Sequence, residues 1–204
     1  PSKDMQTMLS IKPIRTISGV APLATMTAPI ACKHGKCTFC PGGPDSFFGS
    51  TPQSYTGKEP STMRGIRNNF DPYLIVFNRL TQYVSLHHCP EKVEQIVMGG
   101  TFPSFPIDYQ ESYIGFSLKA MNDFSELFFD NKEINHQKFV EFMEEPEQRR
   151  NKEFQKHIND KILKLKGEKV DLEKEKKRNE SAMIRQVAMC IETKPDWCME
   201  NEIN

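Results

Sequence analysis

Three closely spaced cysteines are the residues of this sequence best suited to chemistry. Cys32, Cys37 and Cys40 follow the pattern C-x4-C-x2-C. Three thiolates without an evident fourth ligand are typical of an iron–sulfur cluster that leaves one iron open, where a small molecule can bind and receive an electron. Six cysteines in 204 residues are too few for a disulfide framework, so the spacing indicates a metal site in a reducing compartment.

A structural zinc site is the alternative interpretation of the same cysteines. Such a site needs four ligands. His34 could supply the fourth, although its position two residues after Cys32 makes an awkward chelate, and Cys190 or Cys198 could also reach. The spacing favours the cluster, but the residues alone leave both interpretations open.

A glycine pair forms the second candidate feature. Gly99 and Gly100, followed by Thr101, come directly after the apolar stretch 93–98. By itself the pair predicts only a turn. Because glycine has no Cβ, the pair also lets the backbone approach a ligand closely. S-adenosylmethionine (SAM) bound to an open iron would need such a backbone surface, so the cysteine motif favours a ligand-binding role for the glycine pair.

The order of predicted elements provides a scaffold that brings these features together. Apolar strands are predicted at residues 20–26, 93–98 and 187–193. Helices begin at Asp71-Pro72 and at Asp108, and the loop 32–60 is too rich in proline and glycine for regular structure. This order predicts an α/β fold with a parallel βαβαβ unit. Ligands bind at the carboxyl ends of such strands, which here carry the cysteine loop, the glycine pair and Glu192-Thr193.

Charge is distributed unevenly along the chain. The whole chain is neutral, but residues 1–70 contain eight basic and three acidic residues, a net charge of +5. A basic segment around a metal motif suits an anionic partner such as RNA. Residues 143–180 differ again, because 22 of these 38 residues are charged. We expect this segment to be a solvated helical insertion, or partly disordered, that buries little. The sequence contains no apolar run of 18 residues, so it predicts no transmembrane helix.

Five motifs follow one another along the chain: KPIRTISG (12–19), CTFCPGGPDS (37–46), QSYTGKEP (53–60), MGGTF (98–102) and IETKPDWC (191–198). With these motifs the sequence resembles the elongator protein 3 family, the radical-SAM catalytic subunit of Elongator, and most of all its archaeal members. The resemblance runs from about Lys12 to Cys198 and is interrupted by the charged insertion. Several independent motifs occur in the same order as in the family, and chance does not account for such a match.

The resemblance implies a definite place in a larger fold. Residues 1–18 would be an N-terminal approach segment, and residues 19–204 the first half of a radical-SAM domain, a partial TIM-type barrel with a long cluster-binding loop and the charged helical insertion 143–180. The remainder of the barrel, an acetyltransferase-like domain and other Elongator-type subunits are therefore expected as partners. The resemblance implies a cytoplasmic protein without a membrane partner.

The implied activity is the acetyl-CoA-dependent carboxymethylation of the wobble uridine of tRNA, started by cleavage of SAM. On this resemblance Cys32, Cys37 and Cys40 hold a 4Fe–4S cluster. Residues implied to contact SAM are Gly99, Gly100, Thr101, Glu192 and Thr193. Lys92 matches a family lysine that contacts acetyl-CoA, and Lys58 and Arg64 are expected to contact tRNA phosphates.

Two rival interpretations remain at the level of sequence. The chain could be a zinc-stabilised RNA-binding module without catalysis, or an inactive or split chain that works only with a partner. Under our preferred interpretation, we expect the 204 residues to assemble a cluster but not to complete a turnover alone.

Overall fold

A computed structural model describes residues 16–144 and 151–203 of the chain. The described elements, in chain order, are β1 (Ala21–Met26), α1 (Pro60–Arg67), α2 (Pro72–Ser85), β2 (Lys92–Met98), α3 (Ile107–Phe128), β3 (Phe129–Asp130), β4 (Glu133–Ile134), α4 (His136–Met143), α5 (Lys152–Lys166), α6 (Leu172–Asn179), β5 (Arg185–Ile191) and α7 (Glu200–Ile203). Short helical turns occur at Phe102–Ser104 and Pro195–Trp197. Most of the predicted approach segment, residues 1–15, lies outside the described residues.

A three-stranded parallel sheet forms the centre of the fold. The strand order is β1-β2-β5, so β2 pairs with both neighbours. The predicted α/β fold with parallel βα units is therefore confirmed. β1 contains Pro22 and lies at an edge of the described sheet, where a residue without an N–H group is tolerated.

The two predicted helix starts have different outcomes. The carboxylate of Asp71 accepts a hydrogen bond from the Leu74 N–H group at 3.1 Å, so Asp71 caps α2 as predicted. The predicted cap at Asp108 is wrong, because α3 already begins at Ile107. The carbonyl of Pro106 starts that helix, and Asp108 lies in the first turn, where a negative charge is favourable.

One face of the sheet packs beneath the helices. Val93, Gln95 and Val97 of β2 are fully buried, whereas the alternate residues of the strand are only half-buried or exposed. The core beyond this face is rich in aromatic rings, and Phe77 and Phe124 pack edge to face with their centroids 5.1 Å apart. None of the described helices is long and apolar enough to cross a membrane.

The charged segment packs on the domain. In its described part, α5 buries Ile158 and Ile162, which are 5% and 0% exposed and belong to the main core. The expectation that residues 143–180 bury little is therefore wrong for this part, while residues 145–150 lie outside the described residues. The physical reason is spacing: two isoleucines four positions apart give a charged helix one apolar face.

Arg178 anchors the second helix of this segment, α6. Its guanidinium donates hydrogen bonds to Glu175 at 2.6 Å, Glu126 at 2.8 Å and Asp123 at 2.9 Å. Tyr73 donates to the other oxygen of Asp123 at 2.7 Å. Because Asp123 and Glu126 belong to α3 and Tyr73 to α2, the arginine joins the charged segment to the helices that cover the sheet.

Candidate cofactor site

The long loop between β1 and α1 is fastened to the carboxyl end of β2. Thr27, the first residue after β1, donates from its N–H group to the carbonyl of Met98 at 2.9 Å. Its hydroxyl donates to the carbonyl of Gly99, also at 2.9 Å. The loop therefore starts against the glycine pair, as expected of parallel strands whose carboxyl ends meet at one edge.

Gln53 ties three parts of the site together. Its side-chain oxygen accepts a hydrogen bond from the Cys32 N–H group, and its side-chain nitrogen donates to the carbonyl of Gly35 at 3.1 Å. Its backbone carbonyl accepts from the Gly100 N–H group at 3.1 Å. Gln53 is buried, and its bond to Cys32 is shielded from water, whereas the bond to Gly35 is only partly buried. The sequence placed Gln53 inside a matching motif but assigned it no role.

The three cysteines are free thiols, and each sulfur has its own hydrogen-bond partner. Cys32 and Cys40 are buried, whereas Cys37 is half-buried. The pairs are Cys32 Sγ with the Thr101 hydroxyl at 3.4 Å, Cys40 Sγ with the Ser54 N–H group at 2.9 Å, and Cys37 Sγ with His34 Nε2 at 3.4 Å. Hydrogen bonds to the sulfurs of a bound cluster tune its reduction potential.

The glycine pair runs directly past one of these sulfurs. A Cβ atom added to Gly100 would lie 3.5 Å from Cys32 Sγ and 3.0 Å from the ring of Phe105. At Gly99 an added Cβ would come within 2.6 Å of the Thr27 hydroxyl. Both glycines have positive φ, +105° and +63°, which other residues rarely adopt. Backbone conformation and close approach both require glycine here.

The end of β5 reaches the same loop. The phenol of Tyr55 donates to Glu192 Oε2 at 2.5 Å, and the Glu192 N–H group donates to the carbonyl of Val97 at 3.0 Å. Burial, and next the hydrogen bond to Glu192, raise the pKa of Tyr55, so it remains a donor. Thr193 is half-buried beside this pair. The Lys33 ammonium lies 5.3 Å from the centre of the Trp197 ring.

Three other predicted contact residues are placed elsewhere. Lys92 is exposed at the amino end of β2, the opposite end of the strand from the glycine pair. It lines a separate cavity of about 380 Å³. Lys58 is exposed just before α1. Arg64 is half-buried on α1, and its guanidinium donates to the carbonyl of Ala24 in β1 at 2.9 Å.

The cysteine loop has the donor set of an iron–sulfur cluster, although the structure does not gather its three sulfurs around one point. Free thiols, a polar partner for each sulfur and a backbone without Cβ beside Cys32 are suited to such a cluster. His34 Nδ1 is also buried in the loop and has no hydrogen-bond partner in the described structure. Over the described residues, no three His, Cys, Asp or Glu side chains are gathered as ligands for a single metal ion.

Comparison with known proteins identifies close relatives, although no protein-family model matches the chain. The tRNA uridine(34) acetyltransferase of Methanocaldococcus infernus is 44% identical over 197 residues, 97% of this chain and 29% of the relative. The protein of the same name from Methanocaldococcus jannaschii is 43% identical over the same length. Elongator complex protein 3 of Saccharomyces cerevisiae is 45% identical over 122 residues, 57% of this chain and 22% of the relative.

A solved structure supports the same relationship. Archaeal Methanocaldococcus infernus Elp3 with an N-terminal deletion superimposes with a TM-score of 0.50 and 29% sequence identity, covering 91% of this chain and 25% of that one. The likeness supports the partial barrel fold. This chain spans less than a third of the length of the archaeal relatives it matches.

Proposed function

We propose, from the confirmed resemblance of this chain to the elongator protein 3 family, that it supplies the cofactor-binding part of a tRNA-modifying transferase. The observation that carries the proposal is the meeting of three strand ends at one cysteine loop. Gly100 and Thr101 after β2 lie against Cys32, and Glu192 after β5 is bonded to Tyr55 of the same loop. Because these residues are distant in sequence, their meeting is a property of the fold.

Cys32, Cys37 and Cys40 are the residues that would hold a 4Fe–4S cluster. When bound, such a cluster supplies an electron to SAM. The chain's own residues position the thiolates: Gln53 fixes the backbone on both sides of the first cysteine, and Thr101 donates to its sulfur.

The glycine pair and the end of β5 would form the SAM-binding surface. Gly99 and Gly100 expose backbone groups beside Cys32, and Thr101 adds a hydroxyl. Glu192 offers a carboxylate whose second oxygen remains available while Tyr55 holds the first. Thr193 follows directly on the chain. Carboxylate and backbone groups of this kind are suited to the amino and carboxylate groups of an amino-acid ligand.

The proposal also covers the reaction of the whole enzyme and the residues that would bind its substrates. The reaction would be carboxymethylation of the wobble uridine of tRNA with acetyl-CoA as second substrate, carried out in the cytoplasm with other Elongator-type subunits. Lys58 and Arg64 would contact tRNA phosphates. Lys92 would contact acetyl-CoA at the amino end of β2, the opposite end of the strand from the cysteine loop.

A partner for β5 belongs to this proposal. Val187 and Met189 of that strand are 50% and 44% exposed, and β5 lies at an edge of the described sheet. Parallel strands are stable when both faces are covered and their edges paired. We propose that further βα units of the barrel and the acetyltransferase-like domain complete this side, and that the 204 residues alone produce no carboxymethylated uridine.

Substitution of Gly100 by alanine tests the SAM-binding surface. The added methyl group would lie between Phe105 and Cys32, so we expect SAM binding to the reconstituted protein to fall by about tenfold or more, a free-energy change of about 1.4 kcal/mol. Equilibrium dialysis with labelled SAM measures the loss.

Gly19→Ala is the matched control for this test. Gly19 also has positive φ, +82°, but an added Cβ there would meet nothing within 4 Å. The control therefore has similar backbone strain without a contact at the site, and it should bind SAM as the wild type does. Equal SAM affinity in the Gly100 and Gly19 variants would show that the glycine pair is only a turn.

A further inference from the structure

A basic cleft lies between α1, α2 and α5, on residues that belong neither to the cysteine loop nor to the glycine pair. Its volume is about 430 Å³. Its walls include Arg64 and Arg67 of α1, Arg79 of α2 and Asn159 of α5. The three arginines therefore share one cavity away from the cysteine loop.

The positive charge of this cleft is not balanced by carboxylates. No Asp or Glu lines it in the described parts of the chain, and none of the three arginines takes part in an ion pair there. Burial, then repulsion by Arg79 and Arg67, lowers the pKa of Arg64. Like charges held together in a partly closed space destabilise one another unless an anion joins them.

Local contacts hold the guanidinium groups in place without neutralising them. Arg64 donates one bond to the carbonyl of Ala24, and Arg67 uses its Nε for the carbonyl of Met63 at 3.2 Å. Arg79 donates to the side-chain oxygen of Gln82 at 2.9 Å and stacks on Tyr83, 4.4 Å from its ring centre. All these acceptors are neutral, so the three positive charges remain available to a ligand.

We propose that this cleft binds a phosphate group, either of an RNA strand or of a phosphorylated small molecule. Guanidinium groups match phosphate oxygens with paired hydrogen bonds, and arginine is preferred for this recognition. The amide of Asn159 adds a neutral donor on the opposite wall. Arg64 is also the residue proposed above to contact tRNA phosphates, so the RNA part of this inference rests on the proposed function, whereas a bound small phosphate does not. Binding of RNA there would also deepen the proposed tRNA-modifying function.

The test uses the 204-residue chain and two probes at low salt: inorganic pyrophosphate and a short single-stranded RNA. The variant is Arg67→Gln/Arg79→Gln, which leaves the bond from Arg64 to β1 intact. The control, Arg185→Gln, removes an exposed arginine at the start of β5. Fluorescence anisotropy for RNA and isothermal calorimetry for pyrophosphate give the affinities.

We expect the double variant to bind about tenfold more weakly or worse, and the control to bind as the wild type does. If the double variant loses RNA binding, and pyrophosphate displaces RNA from the wild type, the ligand is the phosphate backbone of an RNA strand. Loss of pyrophosphate binding alone identifies a small phosphorylated molecule. Unchanged affinity in the double variant, equal loss in Arg185→Gln, or no binding of either probe would overturn the proposal. Iron content, measured on the same samples, reports separately on the cysteine site.

Discussion

Replacement of Cys32, Cys37 or Cys40 by alanine, one at a time, is expected to abolish iron binding by this chain. A three-thiolate cluster needs every one of its protein ligands, so anaerobic reconstitution should give about four irons per wild-type chain and almost none in each variant. Two of these cysteines are buried and each of the three sulfurs has a hydrogen-bond partner in the protein, so solvent cannot easily replace a missing ligand. Iron and sulfide analysis together with visible absorbance measure the outcome.

Cys89→Ala is the control for the cysteine series. Cys89 lies at the amino end of β2 beside Pro90, in the cavity that also contains Lys92. Cys89 is exposed at the surface, but desolvation by the neighbouring cavity wall, and then the charge of Glu91, raises the pKa of this thiol to about 11, so it stays protonated at neutral pH. The variant should retain full iron content. Four irons in any variant of the three loop cysteines, or loss of iron in Cys89→Ala, would contradict the assignment of Cys32, Cys37 and Cys40 as the cluster ligands.

Ile162→Asp is expected to destabilise the fold by about 3–5 kcal/mol, because it removes core packing and buries a charge. Ile162 is 0% exposed and packs in the main core, although it lies in a helix dominated by charged residues. Urea unfolding followed by circular dichroism measures the change. An effect of this size would exceed half the stability of many small domains.

The neighbouring residue supplies the control. Leu163 is 36% exposed on the same helix, so Leu163→Asp should change stability by less than about 1 kcal/mol. Comparable effects at the two positions would mean that α5 does not pack as described. Deletion of residues 143–180 should also destabilise the chain, contrary to the sequence-based expectation for this segment.

The sequence was informative wherever the controlling interaction is local. The apolar runs predicted the three strands, and the Asp71-Pro72 pair predicted the start of α2, because strand burial and helix capping depend on neighbouring residues. Asp108 was wrongly predicted as the N-cap of α3. The N-cap is Pro106, which has no side-chain acceptor and contributes only its backbone carbonyl, so the sequence shows no capping residue there. Composition concealed the buried face of α5, which the spacing of Ile158 and Ile162 could have revealed.

The candidate site could be predicted in its parts but not in its assembly. Cysteine spacing and the glycine pair are visible in the sequence. The bond of Gln53 to Cys32 spans 21 positions, and that of Tyr55 to Glu192 spans 137. The first pair depends on how the loop between β1 and α1 folds back on itself, and the second on the pairing of β2 with β5. Neither arrangement follows from the residues next to each partner. The arginine cleft escaped prediction for the same reason, because only the packing of α5 completes its wall.

The effect of SAM on the reconstituted chain is the decisive measurement. Chemically reduced protein would be examined by electron paramagnetic resonance with and without SAM, after metal analysis of the same sample. We predict about four irons per chain and a signal whose shape changes when SAM is added, since under the proposal SAM would bind beside the open iron. One tightly bound zinc, no iron uptake and no response to SAM would contradict the proposal and favour a zinc-stabilised RNA-binding module.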